Sequence, residues 1–112
     1  MDKVVIFAFN GNPMCFSHVL LNALDMAERG MDARIVIEGE AVTLLKGLEE
    51  SNNPLYLKAK EKKLIDAICK ACSAKLGVLD YNETLGLPIV GDMSGHPSMA
   101  RYMEDEYTVI TL

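Results

Sequence analysis

The chain has 112 residues, 50% of them hydrophobic and 24% charged, which fits a single domain over 1–112 and excludes a disordered or low-complexity chain. Its net charge of −5 gives no general attraction to phosphate backbones or anionic lipid, so no direct nucleic-acid binding is expected. The longest apolar run, Val4-Val5-Ile6-Phe7-Ala8-Phe9, is far short of the ~20 residues that cross a bilayer and meets no small-residue cleavage site, so the expectation is no membrane and a cytoplasmic location.

Lys3 to Phe9 lacks the polar alternation of a strand wetted on one face, which predicts a central parallel strand covered on both sides. Asn12-Pro13 joins a favoured N-cap to proline at the first helical position. Phe16, Val19, Leu20, Ala23, Leu24 and Ala27 then recur at helical spacing up to Gly30. Ala33 to Ile37, rich in β-branched residues, predicts a second strand, and Ala41, Leu44, Leu45 and Leu48 a helix that Ser51-Asn52-Asn53-Pro54 breaks. Leu55 to Lys63 reads as an exposed helix whose Lys58, Lys60, Lys62 and Lys63 form a solvated face.

Leu64 to Ile68 predicts a short third strand interrupted by Asp66, and Ala71 to Leu76 a short helix ended by Gly77. A helical turn follows over Tyr81 to Leu85, then a fourth strand over Leu87 to Val90, where Pro88 suits only the first residues. Met99, Tyr102 and Met103 mark one face of a helix from about Ser98 to Asp105, and Tyr107 to Leu112 closes the chain as a strand. Strands alternating with helices imply right-handed crossovers and a parallel sheet, hence an α/β fold: a three-layer α/β/α sandwich around a five-stranded parallel sheet.

Ligands of such sheets bind beyond the carboxyl ends of the strands. Asn10, Asn12 and Cys15 follow the first strand, Glu38 and Glu40 the second, Cys69 and Cys72 the third, and Asp92, Ser94 and His96 the fourth. All three cysteines fall on this edge. Their odd number does not suggest a disulfide framework, so each is a packing residue, a redox thiol, a nucleophile or a ligand. Cys69-Lys70-Ala71-Cys72 has C-x-x-C spacing at a strand-to-helix bend, where helix-start N–H groups and Lys70 favour the thiolate. That spacing serves dithiol redox chemistry, half of a zinc site, or one nucleophile with an unrelated neighbour.

A second C-x-x-C is absent, and a four-ligand zinc site would have to recruit Cys15 and His96 from separate loops, so no metal or other cofactor is expected. Cys15 falls in the first turn of the first helix, where it is either activated or buried beneath the loop. His96, within Ser94-Gly95-His96-Pro97-Ser98, reads as a turn residue and a secondary candidate base. Glu38 and Glu40 could bind a cation or orient a partner, or simply complement a helix dipole. His18 reads as a polar-face residue. No GxGxxG, Walker loop, G-x-S-x-G or H-E-x-x-H is present.

Ile68-Cys69-Lys70-Ala71-Cys72-Ser73-Ala74-Lys75-Leu76-Gly77-Val78 is similar to a pattern of the DsrE/DsrF-like proteins of the DsrEFH superfamily. That pattern is a cysteine ending the third strand, then a short helix with small residues, a basic residue and Gly. Phe7-Ala8-Phe9-Asn10-Gly11-Asn12-Pro13 and Ile35-Val36-Ile37-Glu38-Gly39-Glu40 resemble the first two strand exits of the same family, and the resemblance spans essentially the whole chain. It implies a sulfur carrier in which Cys69 takes sulfane sulfur as a persulfide and passes it to another carrier's thiol. It also implies a homo-oligomer, a trimer or hexamer, with sulfur-donor and sulfur-acceptor proteins as partners.

Cys72 departs from the relay pattern, which tends to have a small residue there. A second thiol could resolve a persulfide on Cys69 into a disulfide and release sulfide. Three functions are therefore carried forward. The first is a sulfur carrier or sulfurtransferase with Cys69 and Cys72 catalytic and Asn10, Asn12, Cys15, Glu38, Ser94 and His96 binding or accessory. The others are a dithiol redox protein, and a non-catalytic oligomeric module whose edge pocket holds a small ligand or metal.

Overall fold

The computed structural model describes residues 2–112. Five strands, β1 (Lys3–Ala8), β2 (Asp32–Ile37), β3 (Ile65–Cys69), β4 (Ile89–Val90) and β5 (Thr108–Thr111), form one sheet in the order β4-β3-β2-β1-β5. Every neighbouring pair is parallel. Helices α1 (Pro13–Glu28), α2 (Leu45–Glu50), α3 (Pro54–Glu61), α4 (Lys70–Lys75), α5 (Leu79–Asn82) and α6 (Met99–Glu104) lie in the connections, with 3₁₀ segments at Gly39–Leu44 and Glu83–Leu85. Right-handed crossovers that step from β1 towards β4 put α1 to α5 on one face, and the return to β5 puts α6 on the other. The expected three-layer α/β/α sandwich is what the chain forms.

The apolar run that starts the chain is interior but not the middle strand; β2 holds that place. Val5 to Ala8 are at most 1% exposed, whereas Phe9 has left the strand and is 38% exposed. β4 is shorter than the apolar pattern suggests because Pro88 has no N–H for the ladder; its carbonyl still accepts from Ile68 N at 2.8 Å. In α1, Asn12 caps the helix by accepting from Met14 N at 2.8 Å, and Phe16, Val19, Leu20, Ala23 and Leu24 are buried.

The two sheet faces are unequal. Ile6, Ile35, Ile37 and Ile68 pack with Phe16, Leu20, Leu45 and Tyr56 beneath α1 to α3, each full burial worth roughly 1.5–3 kcal/mol. The opposite face has a smaller core of Val5, Phe7, Val36, Ala67 and Tyr107, covered by Met99 and Tyr102 of α6. Its margin is polar. Asp66 is the extra residue where the β2–β3 register shifts, and it accepts from Tyr102 Oη and from Arg34 Nη1 at 2.9 Å. Arg34 also pairs with Asp32 at 3.1 Å, and Asp32 accepts from Tyr107 Oη at 2.6 Å. Among the described residues, no helix is long and apolar enough to cross a membrane.

Candidate metal centre

Two strand ends, the first turn of α4 and one loop converge at the carboxyl edge. Glu38 follows β2 in extended conformation; its N–H donates to the Ala8 carbonyl at 2.8 Å and its carbonyl accepts from Ala41 N at 3.1 Å. The chain then turns at Gly39 with φ +52, where a Cβ would stand 3.0 Å from the Phe9 carbonyl oxygen. This tight turn leaves the Glu38 side chain 8% exposed. Cys69 ends β3 and caps α4, its Sγ accepting from Cys72 N at 3.3 Å. Cys72 lies one helical turn on and is half-buried.

His96 comes from the loop between β4 and α6. Met93 and His96 exchange backbone hydrogen bonds of 2.8 and 2.9 Å around Ser94 (φ +50) and Gly95 (φ +92). The Gly95 carbonyl accepts from Ala71 N at 2.8 Å, which pins this turn against the start of α4. The approach is close enough that a Cβ on Gly95 would meet Ala71 Cβ at 3.0 Å.

The donors that result are His96 Nδ1 at 3.2 Å from Cys69 Sγ, 3.7 Å from Cys72 Sγ and 3.5 Å from Glu38 Oε1. All four atoms lie within 4.8 Å of one another. A tetrahedral zinc ion with bonds of ~2.0–2.3 Å sets its ligand atoms roughly 3.3–3.8 Å apart, so little movement separates this arrangement from a coordination sphere. The electrostatics point the same way. Burial pushes the Cys69 thiol up to about 12, and the neighbouring Cys72 and Glu38 add to this against the pull of the Cys72 N–H. Burial also raises Glu38, opposed by hydrogen bonds with Cys69 and His96 and by the charge of His96. Among the described residues no lysine or arginine pairs with Glu38. Cys69 and Glu38, both raised by burial, adjoin one another, and a cation between them would favour the ionised form of each.

The chain is 34% identical over 96 residues to the uncharacterized protein MJ0733 of Methanocaldococcus jannaschii, a match that covers 85% of this chain and 78% of that protein. It belongs to the MJ0733 family. Two uncharacterized proteins of Archaeoglobus fulgidus also match, one 40% identical over 42 residues (38% of this chain, 69% of that protein) and the other 49% identical over 35 (31% and 95%). No family model and no solved structure matches.

In this MJ0733 relative the other sequence candidates have structural places. Asn12 caps α1, and Asn10 Oδ1 accepts from Asn12 N at 2.8 Å; both are exposed. Ser94 shapes the His96 turn, Asp92 pairs with Arg101 at 2.8 Å, and Glu40 and His18 are exposed. Cys15 is exposed and lies outside the cluster, whereas Glu38, offered by the sequence as an accessory residue, lies within it beside Cys69, Cys72 and His96. The activated Cys69 thiolate is corrected, since Lys70 is exposed and burial outweighs the helix start. Gly95 and Ala71 fix the His96 loop, and the one local signal for them in the sequence is a glycine beside a candidate histidine.

A cavity of about 450 Å³ opens onto the cluster, walled by Phe9, Met93, Pro97, Met99 and Ala100 and reaching Glu38, Cys72 and His96. On the other sheet face a cavity of about 410 Å³ is lined by charges already paired with one another, Arg34 with Asp66 and Arg101 with Asp92.

Proposed function

We propose that this is a cytoplasmic metal-centre protein in which Glu38, Cys69, Cys72 and His96 hold one tetrahedral divalent ion, zinc first among them. The observation that carries the reading is the convergence of two sulfurs, one imidazole nitrogen and one carboxylate oxygen within 4.8 Å. Sulfur and imidazole donors suit a borderline-soft ion, and thiolate coordination reverses the burial that otherwise keeps Cys69 protonated.

A second reading, favoured by the Cys72 N–H on Cys69 Sγ at 3.3 Å, is sulfur handling. Cys69 would accept a persulfide and Cys72 resolve it, in a trimer or hexamer served by donor and acceptor proteins. Metal analysis of chain purified without chelators separates the two. The metal reading expects one zinc per chain, lost in Cys69→Ser and Cys72→Ser and kept in Cys15→Ser. A fully reduced chain that binds no zinc, yet gains the mass of one sulfur atom from a sulfane donor in a Cys69-dependent way, would establish the sulfur reading instead.

A further inference from the structure

Resting on the metal reading, we infer that the cavity over the centre admits a small uncharged thiol with an apolar body, whose sulfur takes the coordination position of Glu38. The cavity of about 450 Å³ is within the ~300–1,000 Å³ usual for small-molecule sites. Its wall is the phenyl ring of Phe9, the thioethers of Met93 and Met99, and Pro97, surfaces that suit an apolar, polarisable guest. Phe9 and Met93, 38% and 51% exposed, are large apolar side chains left open to solvent at this one mouth. Among the described residues no lysine or arginine lines the cavity, and the chain carries a charge of −5, so carboxylate- and phosphate-bearing molecules are disfavoured there.

The donor set decides what the guest does at the metal. Glu38, Cys72 and His96 line the cavity whereas Cys69 does not, so three of the four donors face an incoming molecule. Glu38 supplies the only hard oxygen among them, and a thiolate displaces a carboxylate from a borderline-soft ion more readily than it displaces imidazole or another thiolate. In the exchange the metal–oxygen bond to Glu38 breaks, a metal–sulfur bond forms and the thiol proton passes to solvent. No electrons are transferred.

The test uses the full-length chain loaded with cobalt(II), whose visible and near-ultraviolet spectrum reports its ligands. The probes are 2-phenylethanethiol and mercaptosuccinate. Expected is a saturable rise in sulfur-to-cobalt charge transfer with 2-phenylethanethiol and binding of mercaptosuccinate weaker by about tenfold or more. Met93→Lys is expected to narrow or invert that preference, while Glu38→Gln binds 2-phenylethanethiol more tightly. Equal binding of both thiols, a cobalt spectrum that neither alters, or cobalt stripped from the chain by the thiol would overturn the inference and leave the metal centre standing. A chain that never acquires a cobalt–thiolate spectrum overturns the metal reading itself.

Discussion

Among the described residues Glu38 has no lysine or arginine partner, and the His96 ring stands 3.5 Å from its carboxylate. A carboxylate taken out of water with so little compensation opposes folding. Glu38→Gln is therefore expected to stabilise the metal-free chain by about 1 kcal/mol and to shrink the gain in Tm on adding zinc. Thermal melts in EDTA and in zinc measure both; a wild type more stable than the variant in EDTA would mark Glu38 as an ordinary structural carboxylate. Gly95 acts on the site through the backbone. With φ +92 and Ala71 Cβ at 3.0 Å, Gly95→Ala should cost more than ~1 kcal/mol and weaken zinc binding by displacing His96, both read from a zinc-dependent melt. Glu38, Cys69, Cys72 and His96 were all legible as strand-end residues. Their convergence was not, because the Ala71–Gly95 hydrogen bond that joins the two loops spans 24 positions and leaves no local pattern.

At the level of elements, α6 is docked by Tyr102, whose ring meets Phe7 and Tyr107 edge-on at 5.7 and 5.6 Å and whose hydroxyl donates to Asp66. Burial and Asp66 push the Tyr102 hydroxyl up, and burial and Asp32 push Tyr107 up to about 12. What these tyrosines contribute to stability is whole below pH ~10, the unfolded value, and is lost as pH rises through their folded values. Asp32 has the opposite sign. Hydrogen bonds from Arg34 and Tyr107 hold it below the usual carboxylate range, so its contribution is present above pH ~4 and is lost as pH falls through the folded value. Urea titrations across pH should show stability falling on both flanks. Tyr102→Phe should flatten the alkaline flank and lower stability at pH 7 by about 1 kcal/mol; an alkaline flank identical to wild type would rule out this role. The strands and α1 were legible because apolar periodicity and the Asn12-Pro13 cap are local signals. Asp66 registered only as an interruption of β3, since its partners Arg34 and Tyr102 come from other elements.

For the molecule as a whole, a ligand bound only by the folded state stabilises it by about 4 kcal/mol at a thousandfold excess over Kd. In a domain of this size that corresponds to a rise in Tm of at least ~10 °C, and calorimetry with zinc against EDTA checks it; superimposable melts would contradict a built metal centre. The inequality of the two sheet faces has a kinetic counterpart. Five helices cover one face and the six-residue α6 the other, so amide hydrogen exchange is expected to be slowest in β1 to β3 and fastest around α6. His96 rides on the loop that leads into α6, whereas Glu38 and Cys69 belong to the ends of β2 and β3 and Cys72 to the first turn of α4. An ion held as proposed would be gripped by three donors from the body expected to exchange slowly and one from the segment expected to open first. Its release to a competing chelator would then be timed by detachment of α6, with the rest of the fold closed.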